Sequence, residues 1–125
     1  IYIAPAKASE KTLEAVATHS RGYIYAISRD GVTGADKEAT VQGLREVVDN
    51  VRKFGGPPVL LGFGISKPEH VRDAIAAGAA GAITGSAITT IIDTYIEGNR
   101  VTDMDALKTE LSEYVTAMKG ATIAS

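Results

Sequence analysis

The chain has 125 residues, of which 45% are hydrophobic and 22% are charged, and its formal net charge is −2. This length and composition are typical of one globular domain, here residues 1–125. The lack of cysteine excludes disulfides and thiolate catalysis, and no cluster of Lys and Arg points to nucleic acid or to an anionic membrane as a partner. No apolar run reaches the roughly 18 residues of a membrane span, so we expect a cytoplasmic protein.

The first predicted unit is a short strand followed by a helix. Residues 1–4 form an apolar strand that Pro5 ends, and Ser9 is the predicted N-cap of a helix over residues 10–19. The chain starts inside this strand and has no initiator methionine. We therefore expect it to be a segment of a longer protein.

A second strand and helix follow. Residues 22–27 are β-branched and aromatic, which predicts a strand. A polar loop with glycines at positions 31 and 34 then leads into a helix, whose apolar residues recur at spacings of three and four as far as Phe54.

The third unit has the clearest local signals. Residues 59–63, VLLGF, are continuously apolar, as expected of a parallel strand covered on both faces. Ser66 and Glu69 form a predicted capping box, and Pro68 lies in the first turn, where it loses no hydrogen bond. This helix is predicted to end near Ala77.

The last unit is a strand at residues 81–85 that leads through Ser86 into an apolar helix over residues 87–98. A final helix is predicted over residues 103–118, with Thr102 as its cap. Four strands thus alternate with helices, which predicts an α/β fold with a parallel sheet and right-handed crossovers.

Two architectures fit this alternation, a complete open sheet and half of a TIM-type (β/α)8 barrel. An open doubly wound sheet carries its phosphate-binding glycines after the first strand, whereas here they follow the second, third and fourth strands. A barrel places its site on the rim where strands run into loops, often with phosphate between the last two loops. The glycines therefore favour a half-barrel of four βα units.

Glycines at these strand ends predict a phosphate site built from backbone N–H groups. Glycine lets a ligand approach the backbone and adopts the positive φ angles that turn amides inward. Gly34, Gly64 and Gly85 would each supply an amide, and Ser86 would add its own amide and hydroxyl at a helix start. The alternative is that these glycines serve only as turns.

Other candidate site residues are less specific. Phe63, at a strand end, could line an aromatic pocket or belong to the core, and the same holds for Tyr23 and Tyr25, which share one strand face. His19 and His70 have no partnered spacing and are predicted to be surface residues. The loop carboxylates after the second strand are expected to be solvated, and no metal-ligand pattern is present.

Three strings, RGYIYAISRDGVTG, LLGFGIS and AGAAGAITGSAI, carry a resemblance to a known family. In this order and at these separations they resemble the tryptophan synthase α chain, from the fifth strand to the last helix of its barrel. That family cleaves indole-3-glycerol phosphate into indole and glyceraldehyde 3-phosphate in tryptophan biosynthesis. It then passes indole to a β chain carrying pyridoxal phosphate, within an α2β2 heterotetramer. The resemblance implies a lyase with no cofactor in this chain.

The resemblance also implies roles for individual residues. The phosphate-binding positions are Gly34, Gly64, Gly85 and Ser86. The substrate pocket is formed by Tyr25, Thr33, Phe63 and Ile83. The catalytic Glu and Asp of the family lie in its first half, so no catalytic residue is expected here beyond a supporting Tyr25, and the segment alone is expected to be inactive. The string APAKAS departs from the family's Ala-Pro-Thr-Thr.

Two alternatives remain open from the residues. One is another phosphate-binding (β/α)8 enzyme, such as a relative of indole-3-glycerol-phosphate synthase. The other is a non-catalytic half-barrel that self-associates, because half a barrel leaves two strand edges unpaired.

Overall fold

The computed structural model describes residues 1–27, 36–62 and 64–123, with backbone only for residues 36–41. Strands and helices alternate along the chain as predicted, and a short hairpin precedes the last helix. The elements are β1 (Ile3–Ala4), α1 (Glu10–His19), β2 (Ile24–Ile27), α2 (Asp36–Lys53), β3 (Val59–Gly62), α3 (Pro68–Ala76), β4 (Gly81–Ile83), α4 (Ser86–Thr94), β5 (Ile96–Glu97), β6 (Arg100–Val101) and α5 (Met104–Gly120).

The first four strands form one parallel sheet in the order β1-β2-β3-β4. β1, β2 and β4 are shorter than their predicted ranges, and β3 extends to the last described residue before position 63. Consecutive strands in the chain are neighbours in the sheet, and helices connect them, which is the arrangement of successive βα units. The prediction of an α/β half-barrel is consistent with this topology, and the sheet brings the carboxyl ends of all four strands to one edge.

The core lies on one face of the sheet. Ile24 and Ala4 are fully buried, and Ile24 pairs in register with the buried Val59. Full burial of a large aliphatic side chain such as Ile24 contributes about 1.5–3 kcal/mol of transfer free energy. Helix residues complete this cluster, namely Leu13, Ala17, Leu44, Val47, Val48, Val51, Val71, Ala74 and Met118.

The opposite face of the sheet carries apolar side chains that are only partly covered. Ile3 is 58% exposed, and its register partner Tyr25 is half-buried, as are Leu60 and Ile83. Side chains alternate between the two faces of a strand. The sheet therefore has one face packed into the core and one apolar face that is only partly covered.

Tyr25 occupies the space above a glycine on this second face. A Cβ atom built on Gly62 would overlap the phenol ring of Tyr25. Tyr25 pairs with Leu60, and Gly62 lies two residues further along the same face, so the ring leans along the sheet over the glycine. Gly62 is therefore a packing glycine that gives the ring its position.

The start of α1 follows the prediction, whereas the start of α3 does not. Ser9 Oγ accepts a hydrogen bond from the Thr12 N–H at 3.2 Å. The predicted capping box of Ser66 and Glu69 is wrong, because α3 begins at Pro68 and its N-cap is Lys67. This shift of one residue places Glu69 at the second helical position, one residue too early to reach back to the cap.

His70 takes the capping role that Glu69 was predicted to have. Its Nδ1 lies 3.1 Å from the Ser66 N and 3.3 Å from the Lys67 N, so the ring nitrogen accepts hydrogen bonds from these two amides. The ring is half-buried. The sequence analysis predicted a surface position for His70 but not this capping role, which arises because the third helical position lets a side chain reach back to the cap amide.

The predicted helix over residues 87–98 is too long. α4 ends at Thr94, and Ile96–Glu97 pairs antiparallel with Arg100–Val101. The turn between these strands contains Gly98 at φ +61°. A two-residue hairpin needs this left-handed conformation, which glycine adopts readily, and so turn chemistry overrides the helical pattern.

The cap of the last helix is also one residue later than predicted. Asp103 Oδ1 accepts from the Ala106 N–H at 3.0 Å, and α5 begins at Met104. Thr102 instead directs its hydroxyl to the Tyr95 carbonyl oxygen at 3.2 Å. The carboxylate is the better cap because its negative charge also interacts with the positive end of the helix.

Among the helices within the described ranges, none combines the length and the apolar character needed to cross a membrane.

Replacing Asp103 by Ala should lower the free energy of unfolding by about 0.5–2 kcal/mol, because the first turn of α5 loses its acceptor. Asp103→Asn keeps an acceptor oxygen and should retain most of the stability. Urea denaturation of both variants and of Thr102→Ala measures the difference. A larger loss in Thr102→Ala than in Asp103→Ala would contradict the assignment of the cap.

Replacing Gly62 by Ala should destabilise the chain by about 1–3 kcal/mol, because the added methyl group overpacks the Tyr25 ring. In a Tyr25→Ala background the ring is gone, so the same glycine substitution should have a smaller effect. A double-mutant cycle by urea denaturation measures this coupling. Equal effects of Gly62→Ala in both backgrounds would show that the ring is not the obstacle.

Candidate functional site

The candidate site lies where β3 and β4 run into their loops. Gly62 at the end of β3 pairs in register with Ile83 at the end of β4. Gly64 lies two positions after Gly62, and Gly85 lies two positions after Ile83. Because neighbouring parallel strands end at the same edge, the two glycine turns leave the sheet side by side.

Gly64 has a backbone conformation that favours glycine. Its φ is +78°, in the left-handed region, and a Cβ at this position would meet no atom within 4 Å. Backbone conformation, and not lack of space, therefore calls for glycine here. The residue is exposed, so its peptide groups are accessible from the rim.

Gly85 is the N-cap of α4 and offers no side-chain cap. The first intrahelical hydrogen bond runs from the Thr89 N–H to the Gly85 carbonyl oxygen at 3.1 Å. The amides of Ser86, Ala87 and Ile88 precede that bond and therefore have no acceptor within the helix. Gly85 and Ser86 are exposed, and the positive end of the helix dipole lies at this point.

Tyr25 and Ile83 lie on the partly covered face of the sheet below these turns. Tyr25 is in register with Leu60, and Ile83 is in register with Gly62, which lies on the same face as Leu60. Both side chains are half-buried. The structure thus brings together five of the eight predicted site positions, namely Tyr25, Gly64, Ile83, Gly85 and Ser86.

The other three predicted positions, Thr33, Gly34 and Phe63, lie outside the described residues. His19 is exposed at the end of α1, as predicted, with Nδ1 2.8 Å from the Ala15 carbonyl oxygen. Among the described residues, no group of three His, Cys, Asp or Glu side chains is arranged to hold a metal ion.

Two hydroxyl groups at the site, those of Thr84 and Tyr114, were not predicted from the sequence. Thr84 Oγ1 lies 2.8 Å from the Ile65 carbonyl oxygen, and Tyr114 OH lies 3.0 Å from the Ser66 carbonyl oxygen. The two hydroxyls are 3.1 Å apart. Thr84 could have been noted as the neighbour of Gly85, whereas no local pattern connects the last helix with this loop.

A separate cleft of about 460 Å³ opens at the opposite edge of the sheet, between the ends of α1 and α2. Ser20 and Arg21 lie on one side of it and Gly55 and Gly56 on the other. These residues precede β2 and β3, so the cleft is at the amino ends of the strands. It is distinct from the candidate site, and the sequence motifs did not point to it.

A model of the tryptophan synthase alpha chain family matches residues 1–121. The tryptophan synthase alpha chain of Corynebacterium glutamicum strain ATCC 13032 is 64% identical over an alignment of 127 positions. The alignment covers 98% of this chain and 45% of that protein. The alpha chain of Vibrio vulnificus is 46% identical and covers 98% of this chain and 43% of that protein. The chain therefore spans less than half the length of these curated relatives.

Solved structures agree with the sequence relatives. The tryptophan synthase alpha subunit of Pyrococcus furiosus is similar with a TM-score of 0.70 and 26% identity, over 94% of this chain and 43% of that chain. The alpha subunit of Campylobacter jejuni, at 23% identity over 90% of this chain and 42% of that chain, shows the same fold with a TM-score of 0.70. The motifs, the half-barrel topology and these relatives lead to one conclusion: this chain belongs to the tryptophan synthase alpha chain family.

Proposed function

We propose that this chain forms the phosphate-binding and indole-binding side of an indole-3-glycerol-phosphate lyase, the α reaction of tryptophan synthase. One observation carries the proposal: Gly64 and the Gly85–Ser86 helix start lie side by side at the ends of β3 and β4, with their backbone exposed. Family membership supplies the reaction that such a site serves. The family comparisons do not favour a synthase or a non-catalytic module.

The phosphate of the substrate binds to backbone amides in this proposal. Amides at a helix start carry partial positive charge, and they point along the axis towards an approaching anion. Gly64 leaves its side of the site free of side-chain bulk, and Ser86 adds a hydroxyl at the helix start. Gly34, outside the described residues, supplies a further amide in the proposal. The anion is thus held without a lysine or arginine at these turns.

The indole ring lies against the partly covered face of the sheet. Tyr25 and Ile83 form an apolar floor there, and the phenol ring covers Gly62. Thr33 and Phe63, outside the described residues, complete the pocket in the proposal. An apolar pocket with few polar groups is the usual environment for a flat aromatic ligand.

The reaction is a retro-aldol cleavage. The bond between the indole ring and the glycerol carbon breaks, the glycerol hydroxyl loses its proton as the aldehyde forms, and the ring carbon gains a proton. One carboxyl group transfers protons at the indole carbon, and a second stabilises positive charge on the indole nitrogen. We place both carboxyl groups outside this chain. The amides described here hold the phosphate, which positions the reacting carbon.

We further propose that the indole passes to a β chain that carries pyridoxal phosphate, in an α2β2 assembly. One matched structure, from Pyrococcus furiosus, belongs to a tryptophan synthase a2b2 complex and has a TM-score of 0.70 and 26% identity, over 94% of this chain and 44% of that chain. That similarity supports the proposed partner.

Replacing Gly85 by Val should weaken phosphate binding by about tenfold or more, since a charged hydrogen bond contributes about 1.5–3 kcal/mol. A Cβ atom at this position would meet no protein atom within 4 Å, so the valine branches from an open point at the start of the helix. The unfolding free energy should change by less than about 1 kcal/mol. Inhibition by inorganic phosphate, measured in a full-length family member carrying these residues, tests the effect.

Gly120→Val provides the matched control. Gly120 also has no atom within 4 Å of a built Cβ, but it ends α5. Gly64→Ala is a poorer test, because φ +78° strains any substituted residue, so the fold would be destabilised together with the binding site. Unchanged inhibition by phosphate in Gly85→Val would refute the assignment of the anion site.

The 125-residue chain alone should release no indole from indole-3-glycerol phosphate, because the proposed acid and base lie elsewhere. Addition of the amino-terminal half of a close relative should restore release if the two halves assemble. Indole is measured colorimetrically, with the full-length relative as the positive control. Release by the chain alone at a rate close to that of the full-length protein would contradict the division of roles.

A further inference from the structure

Three segments that are far apart in the chain meet beside the two glycine turns. Thr84 precedes Gly85 directly, Ile65 and Ser66 follow Gly64, and Tyr114 belongs to α5. The contacts among them are Thr84 Oγ1 to Ile65 O at 2.8 Å, Tyr114 OH to Ser66 O at 3.0 Å, and hydroxyl to hydroxyl at 3.1 Å. The last helix is thereby joined to both turns at once.

The three contacts share only two hydroxyl protons. Each hydroxyl has one proton to donate, so the two groups can make only two of the three contacts as hydrogen bonds at one time. Thr84 makes the shortest contact and donates to the Ile65 carbonyl oxygen. Tyr114 then donates either to Ser66 O or to Thr84 Oγ1. In both arrangements the phenol binds one turn and lies against the other.

The loop after β3 is held from two sides. The peptide group between Ile65 and Ser66 has its carbonyl bound by Thr84 and its N–H bound by His70 Nδ1. The next peptide group, between Ser66 and Lys67, has its N–H bound by the same ring nitrogen, and its carbonyl oxygen accepts from Tyr114 when the phenol donates to it and not to Thr84. Because a peptide group is planar, fixing both of its ends fixes its orientation.

Two N–H groups at the start of this loop are left free for the proposed anion site. Within the described ranges, no residue accepts a hydrogen bond from the N–H of Gly64 or Ile65. Ile65 is 6% exposed, so its side chain anchors the loop in the core. The loop is thus constrained just beyond the point where its amides are available to a ligand.

The residues that make these contacts pack against buried parts of the fold. Tyr114 is half-buried and packs against the core cluster, and its helix is anchored by Leu107 and Met118, each 7% exposed. Thr84 is half-buried between the sheet and this helix. The two contacts of Thr84 are partly buried, whereas the contact of Tyr114 with Ser66 is exposed. Partly buried hydrogen bonds compete less with water than exposed ones.

We propose that Thr84 and Tyr114 are positioning residues that set the spacing between the two anion-binding turns. The proposal rests on the proposed function, since it assigns these hydroxyls to the phosphate site. Neither residue touches the substrate. Their effect is to keep the Gly64 amides and the start of α4 at the separation that one phosphate group can bridge.

The test uses Tyr114→Phe and Thr84→Val in a full-length family member that carries these 125 residues. Both variants keep the shape of the side chain and remove the hydroxyl. KM for indole-3-glycerol phosphate and the inhibition constant for inorganic phosphate should rise together by about tenfold, the loss expected of misaligned charged hydrogen bonds. The value of kcat should stay within about twofold, because the acid and base are untouched.

Two controls separate positioning from general stability. Thr84→Ser restores the hydroxyl and should return both constants towards the unmodified values. Tyr95→Phe removes a phenol that donates to Glu110 Oε2 at 2.5 Å on the same helix α5, and that phenol makes no hydrogen bond to either turn among the described residues. It should leave KM and phosphate inhibition unchanged.

The outcomes distinguish the two proposals. If inorganic phosphate does not compete with the substrate in the unmodified protein, the proposed function itself fails. If phosphate competes but Tyr114→Phe leaves its inhibition constant unchanged, only the positioning role is overturned. An equal effect of Tyr95→Phe would likewise overturn it. Should Thr84→Val fail to fold, Tyr114→Phe, which keeps the packed ring, decides the matter.

Discussion

The parallel pairing of β3 with β4 is the constraint on which the candidate site depends. The register that joins Gly62 to Ile83 makes the two strands end together, so the residues two positions beyond them, Gly64 and Gly85, leave the sheet as neighbours. Parallel strands must be joined by a crossover, and α3 supplies it between these two. A different register would separate the turns, and no single anion could then reach both.

The two faces of the sheet have different roles because side chains alternate along each strand. One face carries Ile24 and Val59 into a core shared with the helices, and this burial provides the stability of the fold. The other face keeps Tyr25 and Ile83 half-covered below the rim. Gly62 belongs to this second face, where the lack of a side chain gives the Tyr25 ring its place.

In the proposed site, backbone groups and not charged side chains bind the anion. Binding by backbone amides is compatible with the net charge of −2, because amide dipoles attract an anion without the desolvation of a buried cation. It also makes the site sensitive to backbone geometry. The contacts of His70, Thr84 and Tyr114 with the loop after β3 matter for this proposal, because they hold peptide groups next to the amides that are proposed to bind the ligand.

The order of strands and helices, the Ser9 cap and the family could be read from the sequence, because periodicity, cap residues and motif strings are local signals. Asp103 and Gly98 are local signals too, but the prediction chose Thr102 as the cap of the last helix and continued the preceding helix through Gly98. The packing of Tyr25 over Gly62 and the contacts of Thr84 and Tyr114 with the loop after β3 become visible in the folded structure alone. The hydrogen bonds of Thr84 and Tyr114 to that loop join residues that are 19 and 48 positions apart in the chain. Contacts across such separations depend on how whole elements pack, and no spacing rule along a single chain encodes them.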